Sequence, residues 1–383
     1  MIIDCDSHFI PPDTFDYVEG KHAKNRPVLM FDDQGLLRGF EFPGKPPQVS
    51  GTTPPGIPGT AEGDEFSRIS GFYLRGNSDI EARLADFEKM GIQSQVLLPQ
   101  FDRWWSYLLE PELGKALARS WNTAIWKLTQ KYRGRVYGVG LVPLQDVEAA
   151  IDELRWASER GFHSVLADYI FPVTGHPYGE PLGHHRELWP FWAEAERLNM
   201  PISIHIIQHG HKLSNLPMLQ TYGIAESMLH RHVDKQMTMA SLITSGLLDD
   251  FPKLKFLQVE TGTAYLIPMI QYMDKVFERR AANKAPSLFM MPADAAPRNK
   301  LPPSHYFRNN FYWTIETEEP ELVEAMEFLG ADRFLFSTDY PHDDPGGLMK
   351  FKDVELLAAN PRISEADKDL IRSGNAATLF KLV

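Results

Sequence analysis

Five side chains of types that hold metals or move protons share one setting in this 383-residue sequence. Asp6 and His8 close the apolar run MIIDCDSH, His205 sits in PISIHI, Glu260 ends KLKFLQVE, and Asp339 ends RFLFSTD. A charge at the tip of an apolar run costs free energy unless something pairs with it. Asp6 and His8 are two residues apart, which in an extended chain puts both side chains on one face. Imidazole and carboxylate donors together suit Zn, Mn or Fe(II). A single histidine on an apolar strand, such as His205, is commonly a core residue; convergence with Asp6, His8 and Asp339 makes it a metal ligand. His342, in TDYPHDD, would lie at the mouth of such a site. There it would bind a substrate carboxylate or move a proton, or else pair with Asp343 or Asp344 in its loop.

Such tips need strands that point one way. Apolar runs of strand length alternate with amphipathic helical patterns along the chain. Strands are expected at 2–7, 95–99, 136–142, 163–167, 202–206, 254–259, 311–315 and 334–337. Helices are expected at 79–90, 111–132, 146–160, 188–198, 218–248, 263–284, 319–329 and 364–382. Eight strands with helices between them fit a (β/α)8 barrel better than a doubly wound sheet. Chemistry in such barrels sits at the C-terminal strand ends, where the five side chains fall. No GxGxxG or GxxxxGK[ST] follows a strand, so neither dinucleotide nor P-loop binding has support.

Several other residues are weighed against that frame. His209 and His211 follow the fifth strand and could reach the pocket, while Trp104, Trp105 and Tyr107 follow the second and could wall an aromatic substrate. His176, His184 and His185 read as loop-surface residues, His230 and His232 as solvated helix residues, and His163 as a packing or surface residue. Gly138 and Gly140 in the third strand point to close packing. Residues 31–76 form a long Pro- and Gly-rich excursion in which regular structure is not expected. It would act as a lid or subunit contact, or be a plain surface insertion. Residues 285–303 form a second insertion, and the whole of 1–383 reads as one elaborated barrel domain.

With 43% hydrophobic and 23% charged residues the chain can bury a large core. A net charge of -12, with no basic run, argues against nucleic acid. The single cysteine, Cys5, excludes an intramolecular disulfide and a multi-cysteine metal site, and reads as a core residue. No run of ~18 apolar residues predicts a membrane span. The sequence enters its first strand at once, with no basic or apolar leader, so the expected compartment is the cytoplasm.

The segments IDCDSHFIPP, PISIH, FPKLKFLQVETG and FLFSTDYPHDD, with EARLADFEKMGIQSQVLLPQ and GNAATLFKL, resemble the amidohydrolase superfamily. The likeness is to the branch of aminocarboxymuconate-semialdehyde decarboxylase and γ-resorcylate decarboxylase, and spans nearly all of the chain outside the two excursions. It implies a barrel of the metal-dependent hydrolase type holding one divalent metal, zinc first with manganese as the alternative, and no organic cofactor. Carried over by residue, it implies a metal held by His8, His205 and Asp339, with Asp6 standing where many members have the first His of His-x-His. Glu260 stands where a strand-six histidine often serves as acid/base; it would carry protons or instead orient a neighbour. Glu260, His342 and Asp339 are the residues expected to carry the reaction.

Two mechanisms suit that site. One is non-oxidative decarboxylation of a small aromatic or enoic carboxylic acid. The other is hydrolysis of an amide, ester, lactone or C–C bond by metal-activated water. A binding barrel without catalysis is a third reading. The likeness also implies a homodimer or larger homo-oligomer.

Overall fold

Eight short apolar runs become one parallel sheet that curls into a barrel. The computed structural model describes residues 1–44, 48–49, 74–99, 111–167, 170–171, 180–205, 223–281, 297–342 and 351–382. The barrel strands are β1 (Ile3–Phe9), β2 (Ser94–Pro99), β3 (Val136–Leu141), β4 (Ser164–Ala167), β5 (Ile202–His205), β6 (Phe256–Val259), β7 (Phe311–Ile315) and β8 (Phe334–Phe336). Each pairs with its sequence neighbour, in order, in parallel register. A bridge between Ser7 and Tyr340 brings the last strand back to the first. This is the (β/α)8 barrel expected from the alternation, with strand ends within one or two residues of those read from sequence.

Helices between the strands are set by local signals. In α1 (Ile80–Met90), Asp79 accepts from the amides of Glu81 and Ala82, and Gly91 ends the helix in the left-handed region at φ 75°. Helix α2 (Pro111–Lys131) follows β2, and α3 (Val147–Glu159) is capped by Asp146. Helix α4 (Trp189–Leu198) has a proline in its first turn and ends on left-handed Asn199. Helix α5 (Gly223–Thr244) precedes β6 and α6 (Leu266–Ala281) follows it; α7 (Pro303–Asn310) leads into β7, and α8 (Leu322–Leu329) lies between β7 and β8. The expected closing helix is three successive helical segments, Glu365–Asp369, Leu370–Gly374 and Asn375–Phe380.

Most strand residues are buried, and aromatic rings step across the sheet from Trp192 to Phe256, Phe311, Trp313 and Phe334, with each successive pair of centroids 5.5–6.3 Å apart. Such contacts account for the near-continuous apolar strands of a sheet covered on both sides. A Cβ on Gly138 would lie 2.1 Å from Ile125 of α2, so this glycine permits a close strand–helix approach. Cys5 is buried, as expected of a core residue.

Two expectations are corrected. The start of the 31–76 excursion is not irregular: Leu37–Glu41 pairs antiparallel with Val28–Phe31 and with Gln48–Val49. Apolar Val28, Leu29, Met30, Leu37 and Phe40 sustain pairing despite the flanking Gly and Pro. His185 is not a surface residue; it is buried, with Nδ1 3.4 Å from Glu187, whereas His184 is exposed. His163 packs its ring on Tyr137, as expected. No described helix is long and apolar enough to cross a membrane.

Candidate active site

The first strand supplies two of the site's groups through an irregularity. Between Asp4 and Ser7, β1 carries one more residue than β2 opposite, a bulge of the kind found beside active sites. Asp6 within the bulge and His8 beyond it both face the strand-end site, with Asp6 Oδ1 3.8 Å from His8 Nε2. His8 Nδ1 donates to the Pro99 carbonyl at 2.9 Å, an acceptor that fixes the proton on that nitrogen. Nε2 is thereby left toward the carboxylates, 3.3 Å from Asp339 Oδ1. The His205 ring meets His8 edge to face at 4.8 Å, and Asp6, His8 and His205 bring one potential ligand atom each within 4.8 Å of one another.

Asp339 enters from the far end of the chain. Its backbone is left-handed at φ 53°; its N–H donates to the Asp6 carbonyl at 3.0 Å, and its own carbonyl accepts from the His342 amide at 2.8 Å. His342 Nδ1 donates to Asp339 Oδ1 at 2.9 Å, so among the described residues its carboxylate partner is Asp339. Asp343 and Asp344, the alternative partners, lie outside the described residues. His8, Asp339 and His342 form a second potential ligand group. Because both groups share His8, whose Nδ1 is committed to Pro99, they describe one site for one ion.

Electrostatics at the site call for positive charge. Burial, and then Asp339, push the Asp6 carboxyl well above its ordinary range. Burial would raise Asp339 too, but His342 and His8 outweigh it and hold Asp339 well below. Burial and His342 disfavour a charged His8, yet Asp339 and Asp6 leave its pKa raised. Asp6 Oδ1 and His8 Nε2 are buried without a hydrogen-bond partner. Two carboxylates and an imidazole lone pair that converge in this way fit a divalent cation.

Glu260 lies against this group, its Oε2 3.4 Å from His205 Nε2 and its side chain 7% exposed. The structure thus brings together Asp6, His8, His205, Glu260, Asp339 and His342. Trp104, Trp105, Tyr107, His176, His209 and His211 lie outside the described residues, as do the side chains of His230 and His232.

Two buried groups behind the site escaped the sequence reading. Asp4 accepts from the Thr338 amide at 3.1 Å and the Thr338 hydroxyl at 2.6 Å, and so ties β1 to the segment that delivers Asp339; burial pushes its carboxyl up to about 7. Arg83 of α1 donates to the His8 carbonyl at 2.6 Å and to Ser7 Oγ at 2.5 Å, and lies 4.6 Å from the Tyr340 ring centroid. Its signal was a charged residue on the apolar stripe of Ile80, Leu84 and Phe87.

Comparison with known proteins gives this arrangement a lineage. A family model described as amidohydrolase matches residues 108–382. The chain belongs to the amidohydrolase family, in its decarboxylase branch. Curated relatives of this amidohydrolase include the gamma-resorcylate decarboxylase of Rhodococcus jostii (strain RHA1), 32% identical over 71% of this chain and 79% of that protein. Another, from Polaromonas sp. (strain JS666 / ATCC BAA-500), is 30% identical over 69% of this chain and 76% of that protein. Among solved structures, the dihydroxybenzoic acid decarboxylase of Polaromonas sp. JS666, with bound manganese and the inhibitor 2-nitroresorcinol, superposes with a TM-score of 0.71 at 23% identity over 100% of this chain and 97% of that one. The 5-carboxyvanillate decarboxylase of Sphingomonas paucimobilis gives 0.71 at 18% identity over 100% and 99%. Both superpositions extend over the whole barrel of this chain.

Proposed function

We propose that this amidohydrolase is a metal-dependent, non-oxidative decarboxylase of a small aromatic or enoic carboxylic acid. One observation carries the reading: a buried carboxylate, Glu260, lies 3.4 Å from His205 within the cation-demanding cluster of a chain 32% identical to a gamma-resorcylate decarboxylase. Asp6, His8, His205 and Asp339 would hold one divalent ion. Manganese has support from the bound ion of the Polaromonas structure, and zinc is the other metal this donor set suits. When bound, the ion would supply positive charge that favours a substrate carboxylate at the site.

The chain's own residues do the rest. Glu260 delivers a proton to the carbon that bears the carboxylate. The bond between that carbon and the carboxylate then breaks; its electron pair stays on the substrate carbon, and the carboxyl carbon leaves as CO2. Products are the arene or alkene, with the delivered hydrogen in place of the carboxylate, and CO2, and Glu260 regains its proton from solvent. His342, anchored on Asp339, would face the substrate at the mouth; His209, His211, Trp104 and Trp105 would complete the pocket walls. The same reading has the enzyme in the cytoplasm, as a homodimer or larger homo-oligomer, on one elaborated barrel domain with insertions at 31–76 and 285–303.

A second reading has its own observation. Glu260 beside His205 could accept a proton from water and drive hydrolysis. The discriminating experiment pairs elemental analysis of the purified protein with CO2 release from a panel of hydroxybenzoic and muconate-type acids. About one metal per chain with metal-dependent CO2 release is expected; metal without CO2, together with turnover of an ester or lactone, would replace decarboxylation with hydrolysis.

A further inference from the structure

Five described residues other than glycine adopt a positive φ: Asn199, Glu260, Asp339, Phe351 and Lys381. Asn199 and Lys381 follow helix ends, where a left-handed residue is ordinary. Phe351 borders the undescribed residues 343–350. The other two are the strand-tip carboxylates of the site. A side-chain-bearing residue holds this conformation only where its surroundings impose it, and such positions gather at functional sites.

For Glu260 the imposing groups can be named. Its N–H donates to Thr314 Oγ1 of β7 at 3.0 Å. Its carbonyl accepts from Lys235 Nζ of α5 at 2.5 Å. The first bond fixes the peptide before Cα and the second the peptide after it, so together they set φ and ψ. Lys235 is 2% exposed, and burial of an ammonium group is costly unless it serves as a donor. Extended backbone at residue 260 would aim the side chain elsewhere; the left-handed turn brings Oε2 to His205.

We propose that Lys235 and Thr314 are positioning residues that clamp Glu260 in its left-handed conformation and so aim its carboxylate into the site. The kinetic part rests on the reading of Glu260 as proton carrier; the structural part does not. The test uses Lys235→Met, close in volume but without the donor, and Thr314→Val, close in shape but without the hydroxyl, each at full metal occupancy. On the acid that gives the fastest CO2 release, each is expected to lower kcat, Lys235→Met by on the order of 10²-fold, with KM nearly unchanged. Added to Glu260→Gln, neither should lower kcat further. Equal losses with and without Glu260 would overturn the clamp, since the residues would then act on the fold at large. Crystal structures of the two variants give the second readout. Glu260 is expected to leave positive φ and withdraw from His205; retention of φ near 54° and of the 3.4 Å contact in both would overturn the proposal even if no acid in the panel is a substrate. If Lys235→Met does not fold, Thr314→Val decides alone by the same two criteria. A clamp seen in the crystal, without CO2 release from any acid, would uphold the positioning and overturn the decarboxylase reading alone.

Discussion

His8 shows how much of the site one hydrogen bond decides. With Nδ1–H given to the Pro99 carbonyl, Nε2 faces Asp6 and Asp339, and only a proton or a cation stabilises that arrangement. His205→Ala and Asp339→Ala should each reduce bound metal to a small fraction of one equivalent while the circular dichroism of the barrel persists; full occupancy in both folded variants would remove the assignment. Glu260→Gln should retain its metal and lose about 10²- to 10⁴-fold in turnover, the range for a lost proton carrier, and unchanged turnover would leave Glu260 only a structural part. Asp6, His8, His205, Glu260 and Asp339 were legible in the sequence because strand tips announce themselves as polar residues that end apolar runs. The role of Lys235 was not, because nothing in a helix 25 residues upstream marks a bond to the Glu260 carbonyl.

Elements carry a different kind of information. Asp79, Asp146 and Gly91 made helix boundaries readable, whereas Val28–Phe31 and Leu37–Glu41 were hidden by the glycines and prolines that surround them. Packing between helices was not readable at all. Glu194 of α4 accepts from Arg197 on its own helix and from Arg155 of α3, and these hydrogen bonds, Arg197 first, outweigh burial and hold its carboxyl down at about 2. A carboxyl depressed on folding stabilises the native state above its unfolded value, near 4.5, and that contribution disappears as pH falls through about 2. Denaturant unfolding of wild type and Glu194→Gln should therefore differ most at neutral pH and converge on acidification. A difference independent of pH would show that the ion pairs contribute nothing to α3–α4 docking.

Across the whole molecule, the site is also the seam of the barrel. Asp4 and Thr338 stand 334 residues apart, as do Ser7 and Tyr340 at nearly the same span, and both pairs join first strand to last. The alternation of strands and helices predicted that such a seam must exist, but not which side chains close it, since pairs so distant in sequence leave no local pattern. An ion held by β1, β5 and the segment after β8 binds the folded chain and not the unfolded one. At 100 times its Kd it should add about 2.7 kcal/mol and raise the melting temperature by a few degrees. His205→Ala should abolish that rise, and an equal rise in the variant would place the ion elsewhere.

The most direct test of the central claim is to run the metal-loaded enzyme on its best acid in D2O, with CO2 and product followed together. Proton delivery coupled to carboxyl loss requires one CO2 per product molecule and one deuterium at the carbon that bore the carboxylate. Turnover without CO2, or product without deuterium at that carbon, would contradict it.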